Sequence, residues 1–402
     1  MQTTPFEIAI CGAGPVGQAL AMCLIKRGMP AASIALIDAK TEQQANADVR
    51  TIALSYGSRQ ILESASAWPV SATEIHQIHV SRRGHFGRTL IDCCENGVPA
   101  LGYVARYANI VAPLTRALAQ TDIAFLRPVT VVGMDSGVDE VIIHLQDQQP
   151  QQAQHAPSEG GRQIRAKLVV QAEGGLFGAQ PNEAQSEQPE QTTRHHDYQQ
   201  TGLIAQVHTS APIPGRAYER FTDQGPLALL PQENGYALVW CVRPERAIVL
   251  QSLGDREFLV ELQAAFGYRL GVFTSVTPRH AFPLGLHTQS SAPEGRCIKI
   301  GNAAQILHPV AGQGLNLGLR DAAQLAKILS KNVTPEALQQ FHRQRKIDRN
   351  ATITLTDSMA RLFASSPEGS FAQLFSGLAL GCADIITPMQ QALARHMMFG
   401  YR

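Results

Sequence analysis

The N-terminal stretch that ends at Asp38 constrains the fold more than any other part of the chain. Phe6 to Cys11 is a short run, apolar apart from one glutamate, as is typical of a buried parallel strand. It opens onto Gly12, Gly14 and Gly17 in the spacing GxGxxG, and a helical stretch and a second apolar strand follow. Glycines at this spacing let a pyrophosphate approach a helix N-terminus, and the terminal carboxylate can bind ribose hydroxyls. The pattern predicts a Rossmann-like dinucleotide site, and a tight turn without a ligand is the alternative.

A second glycine-spaced segment, Gly301 to Ala322, follows the apolar strand Cys297 to Ile300. It runs into a helical pattern that begins near Gln313. A strand, a glycine-rich turn and a helix start together direct backbone N–H groups toward an electron-rich group. Taken by itself, the segment is equally compatible with a packing turn.

Composition excludes several functional classes. The chain has 402 residues, of which 44% are hydrophobic and 17% charged, so two or three domains with large cores are expected. A net charge of +1 gives no electrostatic reason to expect nucleic acid. Seven scattered cysteines predict reduced thiols, without a disulfide framework or metal-ligand spacing. The N-terminus lacks a signal-peptide pattern, and the best apolar run, 371–383, is too short to span a membrane, although surface contact stays open.

Short alternating or apolar runs between Gly202 and Arg243 predict an antiparallel sheet inserted into the α/β framework. A sheet inserted beside a cofactor domain commonly forms a wall of the substrate site. Its aromatic residues are the candidates for that wall, and a place in the core is the alternative for each of them. These candidates are Tyr218, Phe221, Tyr236 and Trp240. Asp255 to Phe266 is predicted to be an amphipathic helix on this sheet.

Three segments, taken in order, resemble the FAD-dependent aromatic hydroxylases. They are the GxGxxG unit with Asp38, the strand that ends at Glu173-Gly174, and HPVAGQGLNLGLRDA at 308–322. Further stretches resemble the ubiquinone-biosynthesis hydroxylases, especially the group of 2-octaprenyl-6-methoxyphenol hydroxylases. These stretches are TIALS (51–55), LGYV (101–104), DYQQTGLIAQV (197–207), AYERFTDQGPLALLP (217–231) and TDSMARLF (356–363).

The resemblance implies a fold and a set of cofactor residues. The expected fold is α/β, with a Rossmann-like FAD-binding domain at 1–178 and 278–335 and an antiparallel substrate-binding sheet domain at 198–277. A helical C-terminal region at 336–402 and mobile loops at 146–163 and 179–197 complete it. The implied FAD-binding residues are Gly12, Gly14, Gly17, Asp38, Arg50, Val129, Glu173, Gly174, Asn302, Gly312, Gln313, Gly314, Leu315 and Asn316. For Arg50, a surface ion pair is the alternative to phosphate binding.

The resemblance also implies a reaction. NAD(P)H reduces FAD, the reduced flavin captures O₂, and a flavin C4a-hydroperoxide hydroxylates a polyprenylated (methoxy)phenol. Pro309 is expected beside the flavin ring, and His308 either moves a proton or serves a structural role. The expected location is cytoplasmic, with peripheral contact to the inner membrane and with a ubiquinone-biosynthesis complex as partner. A monooxygenase of soluble phenols and a structural member of that complex are the alternative functions.

Two positions depart from the usual family pattern. The family commonly has Asp-Gly where this chain has Glu173-Gly174, and the added methylene displaces the carboxylate by roughly 1 Å. Many relatives also have Gly-Asp where this chain has Gly301-Asn302. An asparagine side chain still donates and accepts hydrogen bonds, so FAD binding is expected to survive this change.

Overall fold

The computed structural model describes residues 5–83, 88–147, 162–174, 194–288, 292–306, 312–364, 395 and 398–400. The strands are β1 (Phe6–Cys11), β2 (Ile34–Ile37), β3 (Thr51–Ser55), β4 (Ala72–Ile75), β5 (Gln77–Arg82), β6 (Arg88–Asp92), β7 (Gly102–Arg106), β8 (Ala124–Leu126), β9 (Val129–Ser136), β10 (Val141–Asp147), β11 (Arg162–Gln171), β12 (Arg194–Thr209), β13 (Arg216–Phe221), β14 (Pro226–Gln232), β15 (Gly235–Val242), β16 (Phe273–Val276), β17 (His280–Thr288), β18 (Cys297–Lys299) and β19 (Gln305–Ile306). The helices are α1 (Pro15–Lys26), α2 (Glu42–Asn46), α3 (Tyr56–Ser64), α4 (Tyr107–Leu118), α5 (Pro244–Ser252), α6 (Asp255–Phe266), α7 (Gln313–Leu329) and α8 (Pro335–Ala364).

The first sheet has the order β8-β2-β1-β11-β10-β9, and β18 also pairs with β11. The strands β8, β2, β1, β11 and β18 are parallel to one another, whereas β9 and β10 form an antiparallel hairpin at one edge. Ile8 and Ile10 of β1 point into a core shared with α1, α4 and α7. The predicted strand–helix–strand unit is therefore confirmed, and β1 has the predicted bounds.

The second sheet has nine strands in the order β19-β17-β12-β15-β14-β13-β5-β6, with β16 beside β12. Apolar side chains of α5 and α6 cover one of its faces and form a second core with β12, β13, β14 and β15. The helix predicted from Asp255 to Phe266 is confirmed with the same bounds. This sheet takes in β5 and β6, which lie far before the predicted 198–277 insertion, because β5 pairs in parallel with β13.

The opposite face of the second sheet, here called the open face, is turned toward the rest of the molecule. It meets the small antiparallel sheet β3-β7-β4 through a cluster that joins Ile75 and Val104 to Ala217. The hydroxyl of Thr51 also donates to Oε1 of Gln232 at 3.2 Å, and α8 passes close to β12 and β14. The open face therefore looks toward the first sheet and its helices.

Within the described residues, no helix combines the length and hydrophobicity needed to cross a lipid bilayer. The predicted long helix after residue 334 is confirmed as α8. Most of the predicted loops at 146–163 and 179–197 lies outside the described residues, as does most of the chain after α8. The predicted domain boundaries stay predictions.

Candidate functional site

Four strand ends meet at one edge of the first sheet. The N–H of Gly12 donates to the carbonyl of Ile37 at 2.8 Å, which joins the ends of β1 and β2. Ala172 donates to Cys11 at 2.7 Å, and Ile300 donates to Gln171 at 2.9 Å. Because the parallel strands all end here, the glycine turn, Asp38, Glu173 and Gly301 lie around one crevice. The carboxyl edge of such a sheet is where α/β proteins bind nucleotides.

The glycine turn after β1 has the tight geometry that its spacing predicts. A Cβ added at Gly17 would collide with the carbonyl oxygen of Gly12, so α1 can begin here only with glycine. A Cβ added at Gly14 would meet only the hydroxyl of Tyr107, 3.2 Å away, so this side of the turn is open. The turn therefore leaves room for a phosphate beside the start of α1.

Asp38 closes the crevice at the end of β2. Its Oδ2 accepts a hydrogen bond from the N–H of Ala13 at 2.5 Å, and its Oδ1 accepts one from Lys40 at 2.7 Å. A carboxylate offers about four lone pairs, so ribose hydroxyls can still be bound. Asp38 thus fixes the glycine turn and remains available to a ligand.

Arg127 and Val129 lie beside Asp38. The N–H of Val129 donates to the carbonyl of Asp38 at 2.8 Å, which places the predicted adenine-binding strand at the crevice. The guanidinium of Arg127 stacks over the ring of Phe125 at 4.1 Å. Its Nε and Nη2 are buried and make no hydrogen bond within the described part of the chain. Unsatisfied buried donors of this kind are costly unless a ligand accepts from them.

Arg50 lies near the glycine turn but is already paired. Its Nη2 lies 2.6 Å from Oδ2 of Asp48, and the guanidinium stacks on the ring of Tyr107 at 4.9 Å. The structure therefore shows the ion pair that was the alternative for Arg50. Because Tyr107 also borders Gly14, the arginine is nevertheless next to the turn.

Glu173 and Gly174 follow β11 at the same edge. Burial raises the pKa of Glu173, and the negative charge of Asp38 raises it further. The two carboxylates therefore share one electrostatic environment. A Cβ added at Gly174 would touch nothing within 4 Å, so the backbone after Glu173 borders open space.

The start of α7 enters the crevice because α7 packs tightly against α1. A Cβ added at Gly318 would lie 2.7 Å from Cγ2 of Val16 and 3.2 Å from Cα of Gly301. Glycine at this position lets the two helices and the Gly301 turn approach closely. The N-terminal ends of α1 and α7, each with the positive partial charge of a helix start, therefore share one site.

Asn302 and Asn316 have different surroundings at this helix start. The Oδ1 of Asn302 lies 3.9 Å from the position of a Cβ added at Gly314, so the amide borders the first turn of α7. The amide of Asn316 is fully used by protein groups: Oδ1 accepts from the Ser55 N–H and the Ser58 hydroxyl, and Nδ2 donates to the carbonyls of Ala53 and Gly312. The side chain of Asn316 therefore anchors α7, and the predicted contact of this residue with FAD is left to its backbone.

The first turn of α7 contains the remaining predicted cofactor residues. Gly312 precedes the helix in a left-handed conformation, with φ of 59°, and Gln313 is buried at the first helical position. Leu315 packs against the core of the first sheet. Their N–H groups lie at a helix N-terminus, where an anion is favoured.

Buried charges behind the crevice fix α7 to α8. The carboxylate of Asp321 accepts from Nε of Arg345 at 2.8 Å and from Nη2 of Arg349 at 3.0 Å. Its Oδ2 also lies 3.4 Å from the N–H of Gly301. Burial alone would raise the pKa of Asp321, but the charges of Arg349 and Arg345 hold it below its usual value. This ionised group therefore holds the Gly301 turn in place.

The predicted substrate wall requires a correction for three of its four aromatic residues. Tyr218, Tyr236 and Trp240 belong to the core under α5 and α6, on the side away from the open face. Their rings contact that core edge-on: Tyr218 packs on Phe266 at 5.4 Å, and Trp240 packs on Phe258 at 6.0 Å. Strand alternation reverses the direction of neighbouring side chains, so Phe221 alone lies on the open face.

His308 and Pro309 lie outside the described residues. In the described part of the chain, the one group with metal-ligand geometry is Asp92 with Cys93 and Cys94, which the sequence analysis did not anticipate. The carboxylate of Asp92 already accepts from Gln77 at 2.7 Å and from the N–H of Cys94 at 2.9 Å. Burial raises the pKa of the Cys93 thiol, which disfavours the thiolate that a metal needs.

The residues of the crevice fit FAD. The open glycine turn and the two helix N-termini suit a pyrophosphate, and Asp38 suits a ribose. The unsatisfied guanidinium of Arg127 suits an acceptor on the adenosine part. Arg127 is not among the predicted site residues, although its place just before the predicted adenine-binding strand is a usable signal.

Comparison with known proteins agrees with this geometry. Residues 131–356 match the family model described as FAD binding domain. The ubiquinone hydroxylase UbiL of Rhodospirillum rubrum is 28% identical over 406 residues, covering 98% of this chain and 89% of that protein. The 3-demethoxyubiquinol 3-hydroxylase of Escherichia coli is 29% identical over 337 residues, covering 82% and 81%. An uncharacterized protein of Synechocystis is 30% identical over 380 residues, covering 90% and 85%.

Solved structures share the fold. The p-nitrophenol 4-monooxygenase PnpA of Pseudomonas putida superimposes with a TM-score of 0.73 at 15% identity, with full coverage of both chains. CabE, an aromatic hydroxylase of angucycline biosynthesis, superimposes with a TM-score of 0.68 at 17% identity, covering 98% of this chain and 76% of that one. With these matches, the chain belongs to the FAD-dependent monooxygenase family that contains the ubiquinone-biosynthesis hydroxylases.

Proposed function

We propose that this protein hydroxylates a polyprenylated (methoxy)phenol in ubiquinone biosynthesis, with NAD(P)H as electron donor and O₂ as oxidant. The support is the crevice, in which Asp38, Glu173, Asn302 and the first turn of α7 come together from separate parts of the chain. The names of the relatives in Rhodospirillum rubrum and Escherichia coli point to the same class of substrate.

The open face of the second sheet is the proposed substrate wall. Asn316 at the start of α7 bonds to Ala53 of β3 at 3.0 Å, and Thr51 of the same strand bonds to Gln232 of β14 at 3.2 Å. One strand therefore separates the helix start from the open face. A phenol on that face would lie between the sheet and the flavin site.

In this mechanism the bound flavin supplies the electron transfer and the oxygen activation. The backbone N–H groups at the start of α1 would hold the pyrophosphate, and Asp38 would orient the ribose. The first turn of α7, with its positive partial charge, would lie beside the flavin ring and favour negative charge there. The Asp321 cluster keeps that turn in place. The sheet excludes water from the reacting groups.

Membrane contact and membership of a biosynthetic complex are part of the proposal. Their support is the chemistry of a polyprenyl tail, which partitions into a bilayer. Co-sedimentation with vesicles of mixed anionic and neutral phospholipid tests the membrane contact. A protein that stays in the supernatant at low salt would contradict it.

The test of the proposed function uses purified FAD-loaded protein with an alkylated 2-methoxyphenol and ¹⁸O₂. We expect NAD(P)H oxidation to rise with the phenol, and the product to gain one labelled oxygen atom. The matched control is the methyl ether of the same compound, which lacks the phenolic hydroxyl. A yellow protein that reduces its flavin but never transfers label to any phenol would overturn the proposal and favour the structural role.

A further inference from the structure

A carboxyl group without a polar partner among the described residues lies on the open face. Glu219 of β13 is opposite Ala228 of β14 and Val80 of β5, and Ala228 is in turn opposite Val239 of β15. Residues opposite each other on paired strands share a face of the sheet. Glu219 therefore points away from α5 and α6, on the same face as Ala217, which contacts the sheet β3-β7-β4.

The strand neighbours of Glu219 on this face are small and apolar. Ala228 and Val239 are half-buried, as is Glu219, whereas Tyr218 and Leu229 on the other face are buried. Ala228 and Val239 are small, which limits how far they cover the carboxylate of Glu219. An aromatic ring can lie flat on such a surface with its hydroxyl directed at the carboxylate.

Glu219 makes no hydrogen bond or ion pair with the residues that the structure describes. The titratable group beside it is the thiol of Cys241 on β15, whose pKa is raised by burial and by the charge of Glu219. Arg82 of β5, opposite Phe221, is near Asp223. On α8, Arg345 forms ion pairs with Asp348 and with Asp321 of α7, and Arg349 also pairs with Asp321. Burial alone raises the pKa of Glu219 to about 7.

We propose that Glu219 is the base that accepts the proton of the phenolic hydroxyl group of the substrate. This inference rests on the proposed function, and it names the residue on which the choice of a phenol depends. In the transfer, the O–H bond of the phenol breaks, its electron pair stays on the oxygen, and the proton binds the carboxylate. The phenolate ring is richer in electrons at the carbons ortho and para to the oxygen, where an electrophilic oxygen is added. The C–H bond at the hydroxylated carbon then breaks, its proton goes to the alkoxide left on the oxygen donor, and aromaticity is restored. The carboxylic acid returns its proton to the phenolate oxygen, so Glu219 is unchanged over a turnover.

The raised pKa of Glu219 makes proton transfer from a phenol much less unfavourable. An ordinary phenol has a pKa of about 10, so a carboxylate with a pKa of about 4.5 would face a transfer that is uphill by several hundred thousandfold. With a pKa of about 7, Glu219 faces a transfer that is uphill by about a thousandfold. A general base is most effective when its pKa lies near the working pH.

The first test is the pH dependence of ligand binding, measured with the FAD-loaded protein by the change in flavin absorbance. The probe is an alkylated 2-methoxyphenol, which stays neutral below pH 8 and donates a stronger hydrogen bond to the ionised carboxylate than to the protonated acid. We expect its affinity to rise severalfold as the pH increases from 6 to 8 in the wild type, and to stay constant in Glu219→Gln. An affinity that is flat in the wild type would overturn the inference without touching the proposed function.

The second test is turnover. Glu219→Gln is expected to bind FAD and accept electrons from NAD(P)H as the wild type does, while product formation falls roughly 100-fold and loses its pH dependence near 7. Glu219→Asp keeps a carboxylate and should retain the pH dependence at a reduced rate. Asp223→Asn, an exposed carboxylate at the β13–β14 turn, is the matched control and should behave as wild type.

The outcomes separate the two proposals. If the wild type hydroxylates no phenol, the proposed function fails. If the wild type hydroxylates the phenol and Glu219→Gln does so at a similar rate and with the same pH profile, only the role of Glu219 fails. If Glu219→Gln folds poorly, the pH dependence of wild-type binding still decides the matter.

Discussion

Two acidic residues are withdrawn from water in different parts of this molecule, and their surroundings differ completely. Asp321 lies fully buried between α7 and α8 with two arginine partners, which keep its pKa below the usual value. Glu219 lies on the open face of the second sheet, where no cation of the described residues offsets its burial and its pKa rises to about 7. One acid is therefore ionised at every physiological pH, and the other gains or loses its proton near neutrality.

The comparison shows that a buried acid with cationic partners and a buried acid without them have different roles. A buried charge with hydrogen-bonded partners fixes the relative positions of the elements that carry them, here α7, α8 and the Gly301 turn. A buried acid without partners lowers stability, and such strongly shifted groups gather at functional sites. The contrast makes opposite predictions for replacing each acid by its amide.

The largest effect is expected for Asp321→Asn. Removing the carboxylate leaves the buried Arg349 without the acid it pairs with and Arg345 with Asp348 alone, so the free energy of unfolding should fall by about 3–5 kcal/mol. Urea denaturation monitored by circular dichroism measures this change. Glu63→Gln breaks an exposed pair with Arg59 and should change the same quantity by less than about 1 kcal/mol. A loss below about 1 kcal/mol for Asp321→Asn would show that the cluster is not what holds α7 against α8.

The pH dependence of this effect has a definite sign. The pKa of Asp321 is lower in the folded protein than in the unfolded chain, so its contribution to stability is present above the unfolded pKa and is lost as the pH falls through the folded pKa. The difference in stability between wild type and Asp321→Asn should therefore be constant from pH 6 to 8. It should shrink below about pH 4, the ordinary range of an aspartate.

The second effect is smaller and opposite in sign. The pKa of Glu219 is raised on folding from 4.5 to about 7, so its ionisation costs stability at pH values above both. Glu219→Gln should stabilise the protein by roughly 1–3 kcal/mol at pH 8, since each pKa unit corresponds to about 1.4 kcal/mol. The gain should decrease as the pH falls from 7 to 4.5 and vanish below that. A variant that is less stable than wild type at pH 8 would mean that the carboxylate has a favourable partner.

Neither acid was identified from the sequence, and the reasons are physical. Asp321 meets Arg345 and Arg349, which lie 24 and 28 residues later on another helix, and helical spacing does not tell which faces of two helices meet. The strand β13 has apolar residues on both faces, Ala217 and Phe221 on one and Tyr218 on the other. The sequence pattern therefore does not say which face the helices cover or on which side Glu219 lies. The same ambiguity explains why Tyr218 and Trp240 were placed on the substrate wall.

Local signals were far more reliable. The glycine turn, the strand before it and the helix after it depend on residues close in sequence, and all three were predicted. The same is true of Asp255–Phe266 and of the start of α7 at Gln313. The pairing of β5 with β13 joins residues that are 139 positions apart, as between Gln77 and Arg216, and no local sequence pattern predicts it.

The smallest effect on stability is expected for a third acid, Asp48, which has a cationic partner but is less buried than Asp321. Asp48 pairs with Arg50 where the arginine is about a third exposed, so water already weakens the attraction. Asp48→Asn should change the free energy of unfolding by less than about 1 kcal/mol. The same change frees the guanidinium beside the glycine turn and removes a negative charge near the place of the pyrophosphate. FAD should therefore bind about 2- to 5-fold more tightly, as measured by fluorescence titration of the apoprotein. Weaker binding of FAD would instead show that Asp48 orients Arg50 toward the cofactor. The pair would then have a structural role, as the Asp321 cluster has.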